Sequence, residues 1–241
     1  MGRSAIWTAI RDTLIEEIAL GHYQPGDQLP TEAQLSDRFG VNRHTVRRAL
    51  ADMAETGTIH ARRGAGVFVA HRPTDYPIGR RVRFHQNLAA SGHVPGKQVL
   101  HLTTRSSDPR EAEALALSAG APVQVYEGLS YSDGQPIALF RSVFPADRFP
   151  RMLEELRRRA SVTAAFNAHG VMDYTRASTR LTAKTASPTQ ALHLKVQPGS
   201  PILRAVGVNV DAQGTPVEYG RTWFAGDRVT LTLIDQTLST G

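Results

Sequence analysis

The chain contains no cysteine. That excludes disulfides, a thiol nucleophile and a Cys-ligated zinc site, and it fits a reducing compartment. No stretch approaches the eighteen or so uninterrupted apolar residues that a membrane-spanning helix needs. The segment "MGRSAIWTAIRDTLIEEIALG" carries Asp12, Glu16 and Glu17 within its apolar part. It therefore reads as an amphipathic helix, not a secretory signal, and the expectation is a cytoplasmic protein with no membrane partner. The nucleophile elbow G-x-S-x-G is missing, as are H-E-x-x-H and any other close pair of metal ligands. The nine histidines are scattered, and His93, His101, His169 and His193 read as surface or core residues. No catalytic set, metal or cofactor is expected.

At 241 residues, with 41% hydrophobic and 21% charged residues, the chain can build two domains with cores of their own. Its charge is unevenly placed. Residues 1–37 hold two Arg against six acids, a net of −4, whereas residues 38–72 hold seven Arg against Asp52 and Glu55, a net of +5. Such a reversal within one small domain builds a positive face, for which phosphate backbones are the usual reason. The densest part is "RFGVNRHTVRRALADM", residues 38–53, with Arg38, Arg43, His44, Arg47 and Arg48.

Local patterns place that cluster on a helix. Ile6, Ile10, Leu14 and Ile18 recur at helical spacing, which predicts a first helix over 4–20. Thr31 and Gln34 form a capping box that opens a second helix over 31–39, and Gly40 breaks it. Asn42 caps a third over roughly 42–55, with Val46, Leu50 and Met53 inward. Its first turns enter a major groove as a recognition helix does: Arg43 or Arg47 can fork onto guanine, and Thr45 can touch phosphate or a thymine methyl. Residues 58–61 and 67–69 alternate like strands around "RRGAG", a hairpin with a cationic tip suited to the minor groove.

"QLPTEAQLSDRFGVNRHTVRRALADMAETGTIHARRGAGVFV" resembles the winged helix-turn-helix of the GntR family of bacterial transcription regulators. The resemblance implies DNA contacts from Arg43, Thr45 and Arg47, with His44 and Arg48 beside them, and from Arg63 and Gly64 at the wing. Ala33 stands where family members often carry an Arg. The resulting division is a DNA-binding domain over 1–71, a linker over 72–84 and a second domain over 85–241.

The second part contains an internal repeat. Pro109 to Pro122 and Pro188 to Pro201 are both thirteen residues, and Ala112/Ala191, Leu115/Leu194, Gly120/Gly199 and Gly128/Gly207 match in register. Each unit reads as a short helix and two strands, so two hairpins can join in one antiparallel sheet with helices on one face, an α+β fold. "RMLEELRRRASVTAAFNAHG" reads as helical and residues 174–184 as a further strand, and a cleft is expected between the halves.

This part is similar to the UTRA domain of the HutC subfamily, of chorismate-lyase-like fold, through "VYEGLSYSDGQPIALFRSVFP" and "PVEYGRTWFAGDR". "YPIGRRVRFHQNL" is similar to phosphonate-utilisation regulators of the PhnF type. The resemblance implies a repressor that binds double-stranded operator DNA as a homodimer and senses a small anionic effector, a phosphonate or phosphate ester. The alternatives are a regulator of sugar-phosphate or histidine-like catabolism and a chorismate-lyase-type enzyme with a DNA anchor. In the resembling sugar-phosphate sensors an Arg pair on the first hairpin holds phosphate; here Gly128 and Ser130 stand in those places, and Phe140 replaces a commonly acidic residue. Effector contacts are expected from Arg83, Phe84 and His85 at a helix start, from Ser161 and Thr163, and from Arg141, Glu218 and Tyr219 on matching strands.

Overall fold

Helix α1 (Arg3–Ala19), α2 (Glu32–Phe39) and α3 (Arg43–Glu55) open the chain, followed by hairpin strands β1 (Ile59–Arg62) and β2 (Gly66–Val69). The computed structural model describes residues 3–62, 64–70, 73–79, 88 and 92–233. The chain divides into two compact units, Met1–Arg72 and Pro73–Gly241.

In the first unit each helix boundary has a local cause. The Gln34 amide N–H donates to the Thr31 hydroxyl at 3.3 Å and the Thr31 N–H donates to the Gln34 side chain at 2.8 Å, which satisfies two donors that the start of a helix leaves open. Gly40, at φ +62°, ends α2 in the left-handed region. The Asn42 carboxamide accepts from the Thr45 N–H at 2.9 Å and so starts α3. Leu14, Leu35, Val46, Ala49 and Met53 are completely buried and pack with Ile59 and Val69. Each of the Leu, Val and Met side chains contributes about 1.5–3 kcal/mol by leaving water. The hairpin pairs Ile59 with Val69 and Arg62 with Gly66.

The second unit begins with strand β3 (Thr74–Pro77) and long strand β4 (Pro95–Ser106). The first repeat is α4 (Pro109–Leu115), β5 (Pro122–Ser132) and β6 (Gln135–Pro145). Helices α5 (Met152–Arg159) and α6 (Val162–Ala168) and strand β7 (Tyr174–Thr185) come next, then the second repeat, α7 (Pro188–Leu194), β8 (Pro201–Asp211) and β9 (Pro216–Ala225). Strand β10 (Val229–Thr232) follows.

Among the described residues, β4-β5-β6-β9-β8-β7 form a six-stranded antiparallel sheet. The two repeat hairpins meet at its centre, where Phe140 faces Thr222 and Arg141 faces Arg221. Repeat helices α4 and α7 lie on the face that carries Leu129, Val143 and Tyr219. The opposite face is covered by α5 and α6 through Phe144, Phe149, Met152, Leu156 and Phe166, so helices occupy both faces, not one. Residues 74–77, within the stretch that the sequence presents as linker, pair in parallel with β10. Their Tyr76 ring packs against Phe224, centroids 5.3 Å apart.

Candidate functional site

Helix α3 presents Arg43, His44, Arg47 and Arg48 to solvent. Arg47 is not idle there: its Nε and Nη2 donate to the two oxygens of Glu32 at 3.1 and 2.7 Å. That fork holds the Glu32 carboxyl below the usual carboxylate range. Arg48 lies over the Trp7 ring of α1 at 4.8 Å, so its stem packs while its charge stays exposed. Thr45 Oγ1 donates to the Asn42 side chain at 3.0 Å. At the hairpin tip Gly64 takes φ +74°, which an L side chain resists. The Gln28 carboxamide braces the tip by donating to the Ala65 carbonyl at 2.8 Å. Arg63 lies outside the described residues.

In the second unit a cavity of about 510 Å³ lies between the sheet and the start of α6. Strand parity decides its wall. Ala138, Phe140 and Ser142 of β6 line it, as do Glu218, Gly220, Thr222 and Phe224 of β9. Arg141 and Tyr219 have the opposite parity and do not reach it, which corrects the expectation for both. Arg141 is instead ion-paired with Glu127 of β5, and Tyr219 packs with Leu115, Val123 and Val143 beneath α4.

Ser161 and Thr163 do line the cavity. The Ser161 hydroxyl accepts from the Ala164 N–H at 3.3 Å, and the Thr163 and Tyr174 hydroxyls are 2.8 Å apart. Glu218 is buried; its oxygens accept from the Ser142 hydroxyl at 2.5 Å and the Asn209 amide at 2.6 Å. Arg83, Phe84 and His85 lie outside the described residues.

The wall also holds residues that the sequence does not single out. Lys97 reaches in from β4, Arg159 from the last turn of α5 and Arg176 from β7, together with Tyr76 and Asn209. The Lys97 ammonium sits over the Phe140 ring at 4.8 Å. Burial pushes it down to about 8, against the upward pull of Glu218. Three elements far apart in the chain supply these cations, so no spacing could reveal them. The one signal was the pair of matched glycines at 128 and 207, each of which clears room for a neighbouring side chain.

Comparison with known proteins agrees with this architecture. Residues 7–69 match the family described as "Bacterial regulatory proteins, gntR family", and residues 90–230 match the UTRA domain. The chain is 40% identical to an uncharacterised HTH-type transcriptional regulator of Rhizobium meliloti (strain 1021), over 94% of this chain and 93% of that one. It is 31% identical to the probable transcriptional regulator PhnF of Escherichia coli (strain K12), over 91% of each. The crystal structure of PhnF from Mycobacterium smegmatis superimposes with a TM-score of 0.67 at 26% identity, covering 94% of this chain and 99% of that one.

Proposed function

Because the chain belongs to the GntR family of bacterial transcription regulators, as a HutC-type member with a UTRA domain, we propose that it represses phosphonate uptake or degradation genes in response to a small doubly charged anion. A phosphonate or a phosphate ester is the class that fits. The observation that carries this reading is the charge of the cavity: among the described residues its wall holds three cations, Lys97, Arg159 and Arg176, and one carboxylate, Glu218. A phosphonate dianion offers matching charge and three oxygens for donors on several sides. Phe140 fills the place of the commonly acidic residue, and Gly128 and Ser130 leave no Arg pair on the first hairpin, which weighs against a sugar phosphate. The relatives are named as transcriptional regulators, which weighs against an enzyme with a DNA anchor.

In this reading α3 reads bases in the major groove, the wing follows the minor groove, and a homodimer spans the two half-sites of an operator. Effector binding changes how the two readers are spaced, and so changes operator affinity. The test is fluorescence anisotropy on a duplex taken from upstream of the chain's own gene, with alkylphosphonates, inorganic phosphate or a neutral alcohol added. Phosphonate-dependent change in operator affinity is the expected result. Equal affinity with and without every anion would remove the effector reading.

A further inference from the structure

The two halves of the sheet are built alike but finished differently. In the first repeat Gly128 of β5 faces Phe140 of β6, and a Cβ on Gly128 would come within 2.7 Å of the Phe140 ring. The aromatic ring thus fills the space that the glycine vacates. In the second repeat Gly207 of β8 faces Gly220 of β9. Among the described residues no ring fills that slot. A Cβ on Gly207 would instead collide with the guanidinium of Arg176, which reaches over from β7, while one on Gly220 would meet nothing closer than 3.8 Å. The first half is plugged by an aromatic, and the matching place in the second half holds a cation beside open space.

One donor of that cation has no protein partner: Arg176 Nε is buried with no hydrogen-bond partner among the described residues, a condition that costs free energy unless something else accepts from it. Its register partner is Asn209, which in turn pairs with Glu218 and donates to it. The backbones of Arg176 and Glu218 are two strands apart, roughly 10 Å, but their side chains converge: Arg176 reaches over Gly207, and Glu218 Oε1 lies 3.8 Å from the Cβ position of the facing Gly220. Across the cavity stand the hydroxyls of Ser161 and Thr163. The site thus offers a cationic fork with a carboxylate beside it on the sheet, and hydroxyls on the opposite wall.

We propose that Arg176, seated in the slot left open by Gly207 and Gly220, is the receptor for the effector's anionic head, and that Glu218 excludes effectors with a second acidic group. This rests on the reading of the cavity as an anion-sensing site and adds its selectivity: one acid, held by Arg176, with an uncharged or donor-bearing remainder beside Glu218. A guanidinium forked onto a phosphonate is both strong and directional, whereas two carboxylate-like groups brought together repel.

The experiment is isothermal titration of the full chain with ethylphosphonate and with 3-phosphonopropionate, which adds a carboxylate to the tail. The wild type should bind ethylphosphonate at least tenfold more tightly. Arg176→Ala should weaken ethylphosphonate by about tenfold to a hundredfold, Arg176→Lys should recover part of that loss, and Gly220→Phe, which installs the plug of the first half, should abolish binding. Glu218→Gln should narrow the difference between the two probes. Operator affinity without probe should stay unchanged for the Arg176 and Gly220 variants, which separates a lost site from a lost fold. Wild-type affinity in Arg176→Ala would overturn the assignment of Arg176 and leave an anion-sensing cavity standing. Wild-type failure to bind either probe would overturn both together.

Discussion

In the proposed reading Arg47 serves two partners in turn. Without DNA its guanidinium is forked onto Glu32; on an operator the same fork has to leave the carboxylate for a base edge. Arg47→Ala should cost roughly 1–3 kcal/mol of specific binding and relax preference at one operator position, as read by competition with single-base variants. Glu32→Gln should do the reverse for unrelated DNA. With its carboxylate partner neutralised, Arg47 meets phosphates more readily, so non-specific affinity should rise and its salt dependence steepen in an ionic-strength titration. Lys97 makes a pH prediction. Its ammonium is pushed down to about 8 by burial, so the charge is present below that pH and lost above it. Phosphonate affinity should therefore fall as pH rises through about 8, and Lys97→Met should remove that step while keeping the probe's own ionisation. An identical pH profile in the two proteins would show that Lys97 does not face the anion.

Among the elements, α3 depends most visibly on a single residue. Its start is fixed by the Asn42 side chain, which accepts from both the Thr45 N–H and its hydroxyl. Asn42→Ala should lower stability by about 1 kcal/mol, seen as an earlier unfolding transition of the first unit, and should weaken operator binding because Arg43, Thr45 and Arg47 share the frayed turn. This element was legible from sequence, since Thr31, Gln34, Gly40 and Asn42 each carry a local signal that needs no tertiary context. That two repeat hairpins share one antiparallel sheet was legible too, through prolines thirteen residues apart in both repeats, but not that β6 and β9 are the strands that meet. Strand β3 was not. Four residues among prolines and arginines become a strand only because distant Val229–Thr232 lie alongside. The face of Arg141 and Tyr219 was illegible for a related reason. Helices cover both faces of this sheet, so alternation along a strand marks two buried sides without saying which one borders the cavity.

On the scale of the whole molecule, β3 binds the start of the second unit into its interior. Thr74 donates to the Ser132 hydroxyl at 3.2 Å, and Tyr76 both packs on Phe224 and lines the cavity. A fragment of residues 73–241 should thus fold and bind phosphonate while ignoring DNA. A fragment of residues 79–241 lacks a buried aromatic and its strand, a loss of about 3–5 kcal/mol by analogy with core truncations. Circular dichroism melts should show it unfolding well below the longer fragment, and equal melts would mean that β3 is dispensable. The doubled sheet has a consequence of another kind. In the proposed reading the two copies of one hairpin divide the work: Phe140 plugs the first, while the Gly207–Gly220 place of the second, which holds Arg176, can be retooled by single substitutions. A sheet built from such a repeat can change what it senses without first solving how to fold.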